Sequence, residues 1–361
     1  MLMTCDQNTL LRLTVLCLLS LLASSCAMLG IGTETAYVIS EKMQVFNSNS
    51  RVNSIIGELR NGDRVTIIEK VEDTNRLWAK LRGPNGLTGW ADARFLVNAD
   101  IVEQLRSQAE EIRELPTQAV GKATRQVKLR LSADRASDDN SVFALPAGTV
   151  FEIVDRDRRP RQVPTEARAA GADADDEKKE DEKKDDGLKY DEWYRVRVRD
   201  NTVLPAGWVY GGSIDLEVPD EIFYYASPGR RIVGWQKIGK VGEDRGREVS
   251  AWLVLEKELF MPTEKDTSGR EDFDRVLVIA WDAAREDYYT PYREDVRGEF
   301  PAMLKMDNSR GMLSFRTSGQ NDSESRRECT VEINEGKVTI TGLKAVTQRR
   351  SNDDKSKLIK P

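Results

Sequence analysis

The chain has 361 residues, 61 acidic and 55 basic side chains, four cysteines and no histidine. Its length suits two or three domains, and the missing histidine removes the usual general base, the commonest transition-metal ligand and the Ser–His and Cys–His nucleophile systems. The net charge of −6 sits almost wholly in residues 173–186, where nine acids outnumber four lysines, so no basic stripe is left to suggest nucleic-acid binding.

Residues 13–23, LTVLCLLSLLA, form an apolar run too short for a resident membrane helix. With Arg12 before it and small residues after it, the run reads as a secretory signal over 1–25. Its exit, Leu22-Ala23-Ser24-Ser25-Cys26, resembles the cleavage box of bacterial lipoproteins. That resemblance implies that Cys26 is the lipidated new N-terminus, that residues 26–35 tether the fold, and that the chain meets the membrane through this lipid. An ordinary signal peptide cut elsewhere is the competing reading. Ala27 follows the cysteine where an aspartate would retain the protein at the inner membrane; in a Gram-negative organism the sorting pattern implies the outer membrane, facing the periplasm. With Cys5 and Cys17 in the signal and Cys26 lipidated, only Cys329 remains, so no internal disulfide is expected. Cys329 reads as a small buried side chain rather than a nucleophile.

Two segments then share one pattern. The first, 43–97, carries Leu59 and Gly62, the alternating run VTIIEK, Trp78 and Gly89-Trp90. The second, from 127 on, carries Leu145 and Gly148, TVFEIVD, Trp193 and Gly207-Trp208. Period-two alternation marks half-buried strands. Asn61-Gly62 is a hairpin turn in which glycine supplies positive φ. The four tryptophans are large enough to make a small core. This is an internal repeat of about 60 residues. Leu-x-x-Gly, Trp and Gly-Trp in that order, twice, resemble the bacterial SH3-like family, over 36–98 and 123–218. The resemblance implies two small barrels, and binding by aromatic residues beside the barrel loops: Phe46, Trp78, Trp90 and Phe95 in the first copy, and Tyr194, Trp208 and Tyr210 in the second. A purely core role is the competing reading for the tryptophans. Arg130 of the second copy keeps the family's arginine where the first has Phe46.

Between the copies, Ile101, Val102, Leu105, Ala109, Ile112 and Leu115 make one helical stripe, stopped by Pro116. This predicts a helical linker over 99–117, serving as a spacer, packing across a barrel, or pairing as a short coiled coil. Residues 156–190 interrupt the second copy at a hairpin tip. They are too polar to bury apolar surface, so a disordered loop or a solvated, fraying helix is expected. Arginines at 156, 158, 159 and 161 precede its acidic run.

The C-terminal third, 220–347, reads as a separate antiparallel β domain with strands IVGWQKIG, VSAWLVLEK, RVLVIAW, GMLSFRT, CTVEIN and KVTITGL, and a fraying tail over 348–361. The segment 281–300 mixes aromatics and charges densely. It reads first as an irregular surface loop, with Tyr288, Tyr289 and Tyr292 as candidates for a partner or glycan contact. No phosphate loop, nucleophile elbow, dinucleotide fingerprint or zinc-ligand set is present, so no catalytic residue, cofactor or metal is assigned.

The fold class expected is mainly β: two small SH3-like barrels joined by a helix, plus a C-terminal antiparallel β domain. The function expected is non-catalytic binding of peptidoglycan or another envelope component by a lipid-anchored cell-envelope protein. Scaffolding of an envelope protein partner, and a carboxylate-based hydrolase in the C-terminal domain, are the alternatives.

Overall fold

The computed structural model describes residues 34–73, 76–135, 140–160, 190–199, 201–259, 271–317 and 325–347. The signal, Cys26, most of the tether, the acidic run and the tail lie outside the described residues. Among those described, no helix is long and apolar enough to cross a membrane. The protein is mainly β, and it divides into two compact units at Ala99/Asp100.

The first unit is a curled antiparallel sheet of seven strands: β1 (Glu34–Val38), β2 (Lys42–Phe46), β3 (Ile55–Arg60), β4 (Arg64–Asp73), β5 (Arg76–Arg82), β6 (Thr88–Asp92) and β7 (Leu96–Asn98). The strand order is β3-β2-β6-β5-β4-β1-β7. Successive side chains of a strand point to opposite faces, so Val65 and Ile67 of β4, and Ala79 and Leu81 of β5, enter a core with Val38, Val45, Leu59 and Ala91. Gly62 turns β3 into β4 at φ 90°, a conformation that a side chain would strain.

The second unit opens with helix α1 (Ala99–Glu111) and repeats the sheet as β8 (Ala119–Ala123), β9 (Val127–Arg130), β10 (Ser141–Leu145), β11 (Val150–Pro160), β12 (Tyr190–Val198), β13 (Ala206–Tyr210) and β14 (Ile214–Leu216). Its order, β10-β9-β13-β12-β11-β8-β14, matches the first sheet strand for strand. Even the bulges coincide, after Ile67 in β4 and after Ile153 in β11. The helix predicted between the copies forms, and it packs across the second sheet: Ile112 meets Val154 and Ala206, with Ala109 and Leu115 beside them.

The insertion begins later than its composition suggests. β11 and β12 remain paired out to Pro160 and Tyr190, so residues 156–160 are strand rather than loop. Only 161–189 of the insertion falls outside the described residues.

After a single helical turn, α2 (Asp220–Phe223), come eight strands: β15 (Arg230–Asp244), β16 (Arg247–Glu258), β17 (Phe273–Asp282), β18 (Asp287–Asp307), β19 (Arg310–Thr317), β20 (Ser325–Asn334), β21 (Lys337–Ile340) and β22 (Lys344–Thr347). The first seven pair in chain order, and β22 pairs with β20. Phe273, Phe300, Phe315, Leu253 and Val276 lead the core, and Cys329 is buried there. Residues 281–300, expected as an irregular loop, are instead the end of β17, a tight turn and the first two thirds of the 21-residue β18.

This sheet does not stand apart from the second repeat. Between Glu299 and Met303 the β18–β19 register slips, which takes Ala302 out of the ladder. Gln118 fills the gap: its side chain donates to the Ala302 carbonyl at 3.1 Å and accepts from the Ala302 amide at 3.0 Å, while its own carbonyl accepts from the Trp235 amide. Nearby, the Arg156 side chain is 1% exposed, 2.5 Å from Glu192 and 3.7 Å from Asp272 of the C-terminal sheet. Burial alone would lower the Arg156 pKa, and the two carboxylates outweigh it and raise it. Burial would likewise raise Glu192, but Arg156, Arg231 and the Tyr194 hydroxyl bring it down to about 2. Asp272 goes the other way: desolvation pushes it up to about 6, with Arg156 only partly opposing.

Removing one member of a buried pair leaves the other charged and unpaired. Arg156→Met is therefore expected to destabilise the second unit by roughly 3–5 kcal/mol in chemical denaturation. Glu192 keeps a quarter of its side chain accessible, so Glu192→Gln is expected to cost less, about 1–3 kcal/mol at pH 7. Because the folded pKa of Glu192 lies below its ordinary 4.5, its contribution is complete above that pH and is lost as pH falls toward 2. The gap between parent and Glu192→Gln should close over that range. An Arg156→Met protein that unfolds at the parent's denaturant midpoint would show that the pair does not hold the two sheets.

Candidate functional site

Trp78 alternates with the core residues Ala79 and Leu81, so it leaves the first sheet on the outer face. Trp90 on β6 pairs with Lys80 on β5 and with Phe46 at the end of β2. Phe46 meets Trp78 edge to face, with ring centroids 5.8 Å apart. The three rings make one outer-face cluster in which Trp78 is buried while Phe46 and Trp90 are half-buried. The tryptophans expected to fill the barrel interior do not do so, because small aliphatic side chains already fill it.

Gly89 explains how the strands come so close. A Cβ there would stand 2.6 Å from the Phe46 carbonyl oxygen and 2.7 Å from Val45. Gly207 meets the same limit, 2.9 Å from the Arg130 carbonyl oxygen. The Gly-Trp landmark thus places a backbone contact directly beside an outward tryptophan.

Cations rim the cluster. The Arg76 guanidinium lies 5.8 Å from the Trp78 ring and the Lys80 ammonium 6.0 Å from Trp90, at the edge of cation–π range. Arg94 donates to Asp92 through its backbone and its guanidinium. Partial burial would raise the Asp92 carboxyl, and these bonds outweigh it and hold it below the usual carboxylate range. Phe95 is 37% exposed on the next turn, and among the described ring pairs none joins it to the other three. These rim residues were not legible beforehand, although every second residue along β5 from Trp78 would have pointed to Arg76 and Lys80.

The second repeat builds the same place differently. Arg130 occupies the position of Phe46, pairing with Trp208, and its guanidinium donates to Asn140 at 2.5 Å. Trp193 and Tyr210 meet at 5.8 Å. Arg135 stacks 4.7 Å over Tyr210 and pairs with Asp191 at 3.0 Å. Arg195, 5.9 Å from Trp208, binds Glu111 of α1. Trp208 and Tyr210 therefore stand among the chain's own side chains, and Tyr194 is not a surface residue at all. It is buried, its hydroxyl donates to Glu192, and burial with that carboxylate raises its pKa.

The tyrosines of 281–300 are divided between the two faces of their sheet. Tyr288 stacks on Trp281 and Tyr225, whose hydroxyl donates to Asp287. Tyr289 and Tyr292 pack against the core instead, and the Tyr292 hydroxyl donates to Glu294. Those two are corrected from contact candidates to core-lining residues. Two carboxylates that flank them are engaged: Asp282 with Arg285 at 3.6 Å and Asp295 with Arg275 at 2.6 Å.

The first sheet's strand order, its glycine turn and its Gly-Trp contact have a counterpart among known families. Residues 46–97 match the family model described as Bacterial SH3 domain. This stretch is a bacterial SH3 domain. The second sheet repeats the order of the bacterial SH3 domain outside the matched range. No curated protein matches the chain. Among solved structures, an NlpC/P60 family protein from Bacillus cereus ATCC 10987 aligns at 9% identity over 52% of this chain, with a TM-score of 0.19. The chain spans 57% of that protein's own length. NlpC2 from Trichomonas vaginalis aligns at 11% identity over 86% of this chain and 97% of its own, with a TM-score of 0.16.

Gly89→Ala is expected to push β2 from β6 and to destabilise the SH3 domain by about 1–3 kcal/mol, the cost of overpacking. Thermal denaturation followed by tryptophan fluorescence measures it. An unchanged midpoint would mean that the close approach is not needed.

Proposed function

We propose that this chain is a cell-envelope protein whose bacterial SH3 domain binds peptidoglycan without catalysis, through Phe46, Trp78 and Trp90. The observation that carries this reading is the outer-face aromatic cluster within the very residues that match the family. Half-buried rings offer apolar contact at low entropic cost, and Arg76, Lys80 and Arg94 around them favour a ligand with an anionic end. A wall peptide with small apolar side chains and a terminal carboxylate has that chemistry. In the same reading Cys26 carries the lipid, the mature protein faces the periplasm from the outer membrane of a Gram-negative cell, and a triacylated cysteine gives a stable anchor.

The test is sedimentation of the chain from Ala27 onward, without lipid, with purified sacculi. Phe46→Ala together with Trp90→Ala is expected to weaken binding at least tenfold, about 1.4 kcal/mol. Free muropeptide is expected to release the parent protein. Sedimentation that ignores both the substitutions and the muropeptide would overturn the reading.

A further inference from the structure

The second repeat shows what its outer face is built to hold. Helix α1 ends there, with Ile112 on Val154. The chain turns away just past the helix end, and the Arg197 guanidinium holds that turn, donating to the Ile112 carbonyl at 3.0 Å, which also accepts from the Leu115 amide, and to the Leu115 carbonyl at 3.1 Å. Arg195 completes the seat by donating to Glu111 at 2.5 Å, with Trp208 beneath its guanidinium. A cation at a helix C-terminus is also favoured by the helix dipole.

The strand registers put Ile68, Lys80, Arg82 and Trp90 of the first sheet at the positions of Val154, Arg195, Arg197 and Trp208. Each keeps its partner's chemistry: a branched apolar side chain, two cations and a tryptophan. Lys80 even repeats the placement of Arg195 over its tryptophan. On the first sheet this seat is open. Ile68 is 47% exposed, and Arg82 is exposed and makes no ion pair among the described residues. Arg197 is also held from the sheet side by Glu152 at 3.1 Å. Thr66 stands in the position of that glutamate, so the guanidinium of Arg82 is not taken up by the neighbouring strand.

We infer that this face of the SH3 domain docks the C-terminal turn of an amphipathic helix from a partner protein. The helix sets a branched apolar residue on Ile68, an acidic residue of its last turn against Lys80, and the carbonyls of the turn that follows it on Arg82. The inference rests on the repeat and not on wall binding, and Ile68 and Arg82 lie outside the aromatic cluster assigned to the wall ligand.

A side-chain-stapled, fluorescein-labelled peptide of residues 99–117 of this chain is the probe, since a free peptide of that length is marginally helical. It is added to the full soluble chain, read by fluorescence anisotropy, and mapped by photo-crosslinking and mass spectrometry. Saturable binding, crosslinks around Ile68 and Arg82, and at least tenfold weakening by Ile68→Asp and by Arg82→Glu are expected. A peptide carrying Glu111→Lys and Ile112→Asp should bind at least tenfold more weakly. Both protein substitutions are on the surface, and an unchanged circular dichroism spectrum verifies that the fold is kept. Absence of binding at millimolar peptide, binding indifferent to both substitutions, or crosslinks confined to the second repeat would each overturn the inference.

Discussion

A small curled sheet can bury only one of its faces on itself. In the first repeat the inner face is filled by small and branched aliphatic residues, Val65, Ile67, Ala79 and Leu81, which leaves no interior room for tryptophan. The large rings therefore leave on the outer face, where about 25 cal/mol per Å² of apolar surface favours any cover they can find. What covers each outer face decides what each repeat can do. In the second repeat helix α1 covers it and Arg130, Arg135 and Arg195 fill in around the rings. In the first, Phe46, Trp90 and Ile68 keep contact with solvent. The two copies share a topology and have divided its uses, one as structure and the other as contact surface.

The second repeat is further committed by its long hairpin. β11 and β12 run on past the curled sheet, and at that end Arg156, paired with Glu192, which also accepts from Tyr194, meets Asp272 of the C-terminal sheet. Their counterparts in the first repeat, from the same registers, are Lys70, Leu77 and Ala79. Lys70 pairs with Glu34 at the surface and Leu77 is 39% exposed. Buried ion pairs are poor sources of net stability but strong enforcers of arrangement, because any other arrangement strands a charge. Gln118 and Gln236 act to the same end by taking the amide and carbonyl that a strand irregularity frees.

The features visible in the sequence were those whose cause is local. Asn61-Gly62, Gly89-Trp90 and the alternation of VTIIEK are each dictated by one turn or one strand, and the twofold order of these landmarks carried the family resemblance to residues 46–97. Phe46 and Trp90 were likewise legible, as large rings next to a glycine or at a strand end. What stayed hidden was set by distant chain. Tyr194 is indistinguishable from an exposed strand tyrosine until the strand registers set it at the buried position that Ala79 holds in the first repeat. β18 escaped because its first half is half-exposed and charged, with buried alternation beginning only near Val296. The rim of Arg76, Lys80 and Arg94 depended on knowing that the tryptophans point outward, and the open seat at Ile68 depended on seeing the same seat filled in the other repeat.

The seat around Ile68 is open in the first repeat, and its counterpart around Val154 is closed in the second. Hydroxyl-radical footprinting of the full soluble chain, read by mass spectrometry, tests it residue by residue. Ile68 is expected to oxidise several-fold faster than Val154, after correction for intrinsic side-chain reactivity. Equal rates at the two positions would overturn this division between the repeats.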